Sequence, residues 1–364
     1  DSEGQEGKFY CWTVTQLKEL LSEAEFKVAE RYFGITEHGN FEDHSHPQPL
    51  KNLNVLSIVD PKLTDAESKL LSGAKKKMFD ARVKRIRPHL DDKVLASWNG
   101  LMLGAIARAS AVLDEPEFLA AAEKNVAFLK ASLWDNGSRT MYHRWRDGER
   151  DRVQLLDAYS SMLDGVLHLY EATLKPTHLE FGIQLADAML KRFYDEKNGG
   201  FFQNGDGDTN LVMRLKEDYD GAEPSGNSVA TLALLRLSKI TDRKDFREKA
   251  EKTFKLFGRN LEKAPQVIPY MMSALDFDLH EPFRVVVTGK PEDPATRKLI
   301  VSAHSVYQPN KVILGNTGPV EEFAKTLEGQ GGPTVYLCTG TACKPPTRDV
   351  KLVAGMLKEI AKAN

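Results

Sequence analysis

Apolar residues recur along this chain with a helical period over most of its length, and with strand-like runs only near its end. Between residues 13 and about 33, Leu17, Leu20, Leu21, Phe26, Val28 and Ala29 form a ragged stripe behind Thr13, which predicts one helix capped by the threonine. Residues 37–51 are polar and rich in His, Asn and Pro, and read as a surface loop. From 65 to 276 helix follows helix, broken by short Gly, Asp and Pro loops. Beyond that, the β-branched runs at 283–289, 311–315 and 334–338 alternate with helical segments near 295–305, 320–327 and 349–363. Strands apolar throughout and alternating with helices predict a small parallel α/β layer.

The helical region repeats itself. A shift of 128 positions sets Ser97 on Ser225, Asn99 on Asn227, Arg108 on Arg236, Asp114 on Asp242, Phe118 on Phe246 and Ala122-Glu123-Lys124 on Ala250-Glu251-Lys252. A shift of about 60 brings Gly104 onto Gly165 and Leu133-Trp134-Asp135 onto Phe193-Tyr194-Asp195, giving three copies of one unit. In each copy the first helix is apolar all round and the second carries a single apolar stripe, so buried inner helices alternate with outer ones facing water. Such hairpins build either an open α-solenoid or a closed α/α toroid. The links favour the toroid, because Asn198-Gly199-Gly200-Phe201-Phe202 and the acidic run from Asp218 to Ser225 lead into buried helices whose ends would ring a central pocket.

Composition narrows the function classes. The chain has 364 residues, 28% of them charged, with 50 Lys+Arg against 52 Asp+Glu. That balance supplies no overall field for nucleic acid or an anionic membrane surface. No apolar run approaches the roughly 20 residues of a membrane-spanning helix. Cys11, Cys338 and Cys343 are too few and scattered for a disulfide scaffold and fit a reducing compartment. The four residues between Cys338 and Cys343 exceed the two of an ordinary redox pair. His38, His44 and His46 lie in a Pro-rich loop without the spacing of metal ligands, and no G-x-G-x-x-G or P-loop is present, so no metal or cofactor is expected. The basic stretch Lys75-Lys76-Lys77, Arg82, Lys84, Arg85 and Arg87 is interleaved with acids and reads as a solvated helix face rather than a polyanion site.

Carboxylates gather where a toroid would place its pocket. Asp92, Asp157, Asp220 and Glu223 stand before or at the start of inner helices and are the candidate acid and base groups. Trp98, Tyr159 and Tyr219 could stack on a sugar ring, and Asn99, Ser225 and Asn227 could hold its hydroxyls. Each has a plainer role: Asp and Ser before a helix are common N-caps, an aromatic heading an apolar helix is commonly core, and the repeat-equivalent Asn99 and Asn227 suit a shared structural bond.

Several long stretches carry a family resemblance: Asp1-Ser2-Glu3-Gly4, Gly7-Lys8-Phe9-Tyr10 to Trp12-Thr13, Arg87-Pro88-His89-Leu90-Asp91-Asp92-Lys93, Trp98-Asn99-Gly100-Leu101-Met102, the run from Asp220 to Ser228, and His304-Ser305-Val306-Tyr307. They resemble the spermatogenesis-associated protein 20 family along essentially the whole chain. The resemblance implies a helical part like that of six-hairpin glycosidases and N-acylglucosamine 2-epimerases, preceded in the family by a thioredoxin-like domain and early toroid hairpins that this chain lacks. It transfers no proven catalytic residue.

The expected architecture is therefore mainly α: residues 1–63 a helix-and-loop segment, 64–280 hairpins of an incomplete (α/α)6-type toroid, and 281–364 a small α/β subdomain. An incomplete ring exposes inner-helix surface, which the absent thioredoxin-like domain or a second copy would cover. The expected function is binding or conversion of a sugar by carboxylate chemistry, hydrolase or epimerase in type. An epimerase would need a histidine such as His89 or His143. The alternative is a non-catalytic scaffold working with the thioredoxin-like domain.

Overall fold

In the computed structural model, residues 1–44, 46–205, 213–340 and 342–363 are described. The chain divides into two compact units, Asp1–Asp92 and Lys93–Asn364.

The first unit holds α1 (Val14–Leu20), α2 (Glu23–Phe33) and α3 (Asp65–Arg82). The single helix expected over 13–33 is two. Ser22 accepts the N–H of Glu25 and the Glu25 carboxylate accepts the N–H of Ser22, a capping box that starts a new helix where the apolar stripe ran on. Leu17, Phe26, Ala29, Leu71, Ala74 and Met78 fill the core between these helices. The basic stretch is spent inside this unit. Lys77 pairs with Glu25 at 2.7 Å, Lys76 with Asp80 at 3.1 Å, and Arg85 lies over the Trp12 ring while donating to the carbonyls of Lys8, Phe9 and Cys11.

The second unit opens with β1 (Val94–Leu95) and the hairpin α4 (Ala96–Val112) and α5 (Pro116–Leu133). Short strands β2 (Trp134–Asp135), β3 (Thr140–Met141), β4 (Arg144–Arg146) and β5 (Glu149–Arg150) lead to the hairpin α6 (Leu156–Thr173) and α7 (Pro176–Phe193), and then to α8 (Gly226–Thr241) and α9 (Lys244–Lys263). Inner helices α4, α6 and α8 pack side by side, each with its own outer helix, and α10 (Pro269–Leu279) lies against α8 as the next inner helix. This is an arc of an (α/α) toroid. Proline at the first turn of α5, α7 and α10 starts these helices without losing a hydrogen bond. The repeat-equivalent Asp114 and Asp242 both take left-handed backbone where inner turns to outer, at φ 55° and 58°.

Helix α6 is buried along nearly every face, as its all-round apolar pattern requires. Helix α4 differs. Trp98, Met102 and Val112 leave it on one exposed stripe, at 61%, 58% and 51% exposure, where an arc ends rather than closes.

The remaining elements are β6 (Phe283–Val287), α11 (Pro294–His304), β7 (Lys311–Gly315), α12 (Glu322–Lys325), β8 (Val335–Thr339), β9 (Ala342–Cys343) and α13 (Val350–Ala363). The sheet runs β7-β6-β8-β9. It is mixed rather than parallel: β6 and β7 pair parallel across the α11 crossover, whereas β8 returns antiparallel to β6, Val285 facing Leu337, and folds back on β9. The helix expected over 320–327 shrinks to one turn. Cys338 and Cys343 face each other across β8 and β9 and form a disulfide, while Cys11 is free and buried; Thr341 between them lies outside the described residues. The sheet is fastened to the helices by α6, whose Tyr170 hydroxyl and Glu171 carboxylate accept the N–H groups of Gly315 and Ile313. Arg297 of α11 donates to the carbonyls of Ser110 and Ala172, near the C-terminal ends of α4 and α6.

Candidate functional site

The start of α6 has no side-chain cap of the usual kind. Leu155 occupies the cap position, the Leu156 N–H donates to the Gln203 carbonyl, and Asp157 stands in the first turn with its Oδ1 2.7 Å from the Ala158 nitrogen. A carboxylate here is helped by the exposed N–H groups and dipole of the helix end. Beside it lies a cavity of about 130 Å³ walled by Leu156, Asp157, Ser161, Gln203, Glu217 and Glu223. Three carboxylates thus converge on one small polar space. Burial pushes the Asp157 carboxyl above its usual range, against the opposing pull of His143, and the Glu223 charge adds to the rise. Glu217 is raised too, by burial first and then by the charges of Asp157, Glu223, Asp220 and Asp218. Each of these negative charges disfavours ionisation of its neighbours.

The other residues singled out by sequence fall into different places. Asp220 receives three backbone N–H groups, from Ser225 at 2.8 Å, Tyr270 at 2.8 Å and Met271 at 3.4 Å, and so ties the approach to α8 to the first turn of α10. Ser225 is the buried N-cap of α8 and accepts the Ser228 N–H. Asn227 is buried, donates to the carbonyls of Phe201 and Glu217, and accepts the Phe201 N–H at 2.7 Å. Asn99 donates to the Leu95 carbonyl and accepts from Asn125. The repeat-equivalent asparagines each bind backbone at the head of an inner helix. Tyr159 is sealed in the core, its hydroxyl accepting the Met141 N–H, so its ring has no open face. Tyr219 is 58% exposed and Trp98 lies on the open stripe of α4. Asp92 is exposed and closes the first unit. Among the described residues no group of three or more His, Cys, Asp or Glu could hold a metal ion, and no helix is long and apolar enough to cross a membrane.

No family model matches the chain. Among curated proteins it is 32% identical to spermatogenesis-associated protein 20 of Homo sapiens, and the match covers 95% of this chain and 48% of that protein. The protein of the same name from Mus musculus matches at 31% over the same shares, and an uncharacterized Caenorhabditis elegans protein at 28% over 51% of its length. The chain is a relative of the spermatogenesis-associated protein 20 family. It spans about half the length of these relatives, their C-terminal half. Among solved structures, cellobiose 2-epimerase from Spirochaeta thermophila is similar at 21% identity and TM-score 0.40, covering 48% of this chain and 44% of that one. Unsaturated glucuronyl hydrolase from Bacillus sp. GL1 follows at 15% and 0.38, covering 53% and 56%.

Two sets of residues lie outside the stretches that mark this family relationship and outside the candidates that sequence reasoning found. Glu217 belongs to no helix-start pattern, and only the folded link brings it to Asp157. Asp164, His168 and Glu171 are polar positions inside the apolar run of α6, spaced to share one helix face, and that interruption was a readable signal of a second cavity.

Proposed function

We propose that the acidic pocket at the head of α6 binds a sugar and performs hydrolytic acid and base chemistry on it. The observation behind this reading is the convergence of Asp157, Glu217 and Glu223 on one cavity, with burial raising the first two carboxyls. Asp157, the least exposed of the three, is the acid that protonates the leaving oxygen. An ionised glutamate at the rim takes the proton of the attacking water. Tyr219, exposed two residues beyond Glu217, offers a face on which a ring can stack. No histidine lines this cavity among the described residues, which favours hydrolysis over epimerisation.

The test is a carbohydrate-library thermal-shift screen on the full-length protein, followed by Asp157→Asn and Glu217→Gln. A sugar that raises the melting temperature, with turnover reduced about 100-fold or more in Asp157→Asn, is the expected result. Because Asp157 is pushed toward its protonated form, the neutral asparagine should leave the unliganded protein no less stable at neutral pH. If no sugar shifts the melting temperature and neither variant alters any ligand response, the reading fails. A helical scaffold would then remain, a role that suits the backbone-saturated Asp220, Ser225 and Asn227 and would join the chain to a thioredoxin-like domain.

A further inference from the structure

A larger cavity, about 600 Å³, lies against the inner helices and the 304–311 segment that leads into β7. That volume is in the range of small-molecule sites. Most charges lining it are matched. Glu171 accepts from Arg236 and is held down to about 2: burial alone would raise it, but the guanidinium and His168 outweigh that. The Lys311 ammonium donates to the carbonyls of Ala303 and Val306, and His304 shares the carbonyl of Glu171.

Three residues that line this space carry polar groups that are not matched. Asp164 is only 8% exposed, yet its Oδ1 has no hydrogen-bond partner, and its Oδ2 is 3.6 Å from His168 Nε2, beyond a hydrogen bond. The Nε–H of Arg236, also 8% exposed, lacks an acceptor. Arg108, the repeat-equivalent of Arg236 on α4, lines the same cavity and makes no hydrogen bond or ion pair among the described residues. An unpaired buried acceptor and an unpaired buried donor are each destabilising and are rare without a purpose.

We infer that this cavity binds a small carboxylate bearing hydroxyl groups, its carboxylate on Arg108 and a hydroxyl between Asp164 and Arg236. A carboxylate fits the planar guanidinium fork and brings one charge, whereas a phosphate dianion would meet the two acids of the cavity. A hydroxyl both donates and accepts, which suits a site that holds an unpaired acceptor, Asp164 Oδ1, and an unpaired donor, Arg236 Nε; an ammonium only donates and would leave Arg236 unmet. Leu232 and Phe277 supply an apolar wall for the carbon chain. The acidic pocket at the head of α6 shares no lining residue with this cavity, so the inference does not depend on the sugar hydrolase reading.

The experiment is isothermal titration of the full chain with D-gluconate, with D-glucose and hexanoate as the neutral and hydroxyl-free probes. Gluconate is expected to bind more tightly than either. Arg108→Gln, a change at an exposed position, should weaken gluconate about tenfold or more, as should Asp164→Asn, while Asp157→Asn leaves binding unchanged. Circular dichroism melts establish that each variant is folded, and if Asp164→Asn does not fold, Arg108→Gln alone decides. No heat with gluconate, equal binding of hexanoate, indifference to Arg108→Gln, or loss of binding in Asp157→Asn would each overturn the assignment.

Discussion

His304 stands at the end of α11 with its Nε2 on the Glu171 carbonyl. Burial pushes its pKa down to about 4, against the pull of the Glu171 charge and carbonyl, with Lys311 and His168 adding to the fall. A histidine whose folded value lies below the usual 6.5 favours the neutral ring. Its contribution to stability is whole above pH 6.5 and is lost as pH falls from 6.5 toward 4. The loss approaches about 1.4 kcal/mol per pH unit within that window. Urea unfolding between about pH 7 and pH 4.5 should show this slope, and His304→Gln should flatten it. An equal slope in the variant would assign the acid sensitivity elsewhere. None of this was readable from the chain, where His304 stood out only as part of the stretch shared with the family; its neighbour Glu171 comes from 133 residues away.

At the scale of elements, two glycines let inner helices approach closely. A Cβ on Gly100 of α4 would stand 2.5 Å from the Ser161 carbonyl carbon and 2.6 Å from the Met162 nitrogen in α6. These are backbone atoms, which cannot swing aside as a flexible side chain can. Gly165 of α6 meets the Gly100 carbonyl from the other side. Gly100→Ala should therefore cost about 1–3 kcal/mol despite alanine's better helix propensity. Gly258, inside the outer helix α9, has nothing within 4 Å of the place a methyl group would take, so Gly258→Ala should stabilise by roughly 0.5–1 kcal/mol. Denaturant midpoints that move in the same direction for both would refute the distinction. The elements themselves were largely legible. All-round apolar patterns marked α6 and α8 as inner helices, and the 128-residue shift found the matching turns at Asp114 and Asp242. What escaped was the break between α1 and α2, where a polar capping box interrupts a continuous apolar stripe, and the antiparallel return of β8, which apolar content alone cannot tell from a parallel strand.

At the scale of the molecule, the sequence carried the order of helices and lobe but not the convergence of side chains. Carboxylates that stood alike in the sequence before helix starts diverged in space: Asp157 opens on a cavity with Glu217 and Glu223, while Asp220 is consumed by backbone at two helices. Chain links, not helix patterns, made that difference. The open stripe of α4 belongs to the same larger scale: among the described residues, Trp98, Met102 and Val112 of this inner helix stay exposed.

The Arg297 bridge also bears on time. Its two bonds join residues 125 and 187 positions apart in sequence, and closing loops of that length is an entropic cost met late. Helical hairpins, built from near neighbours, form before such contacts reward the chain. The guanidinium on the ends of α4 and α6 thus acts as a brake on opening rather than a guide to folding. In stopped-flow unfolding, Arg297→Ala should steepen the escape from the native state severalfold and leave the refolding rate nearly unchanged. A refolding limb slowed as much as the unfolding limb is quickened would place this contact inside the folding nucleus instead.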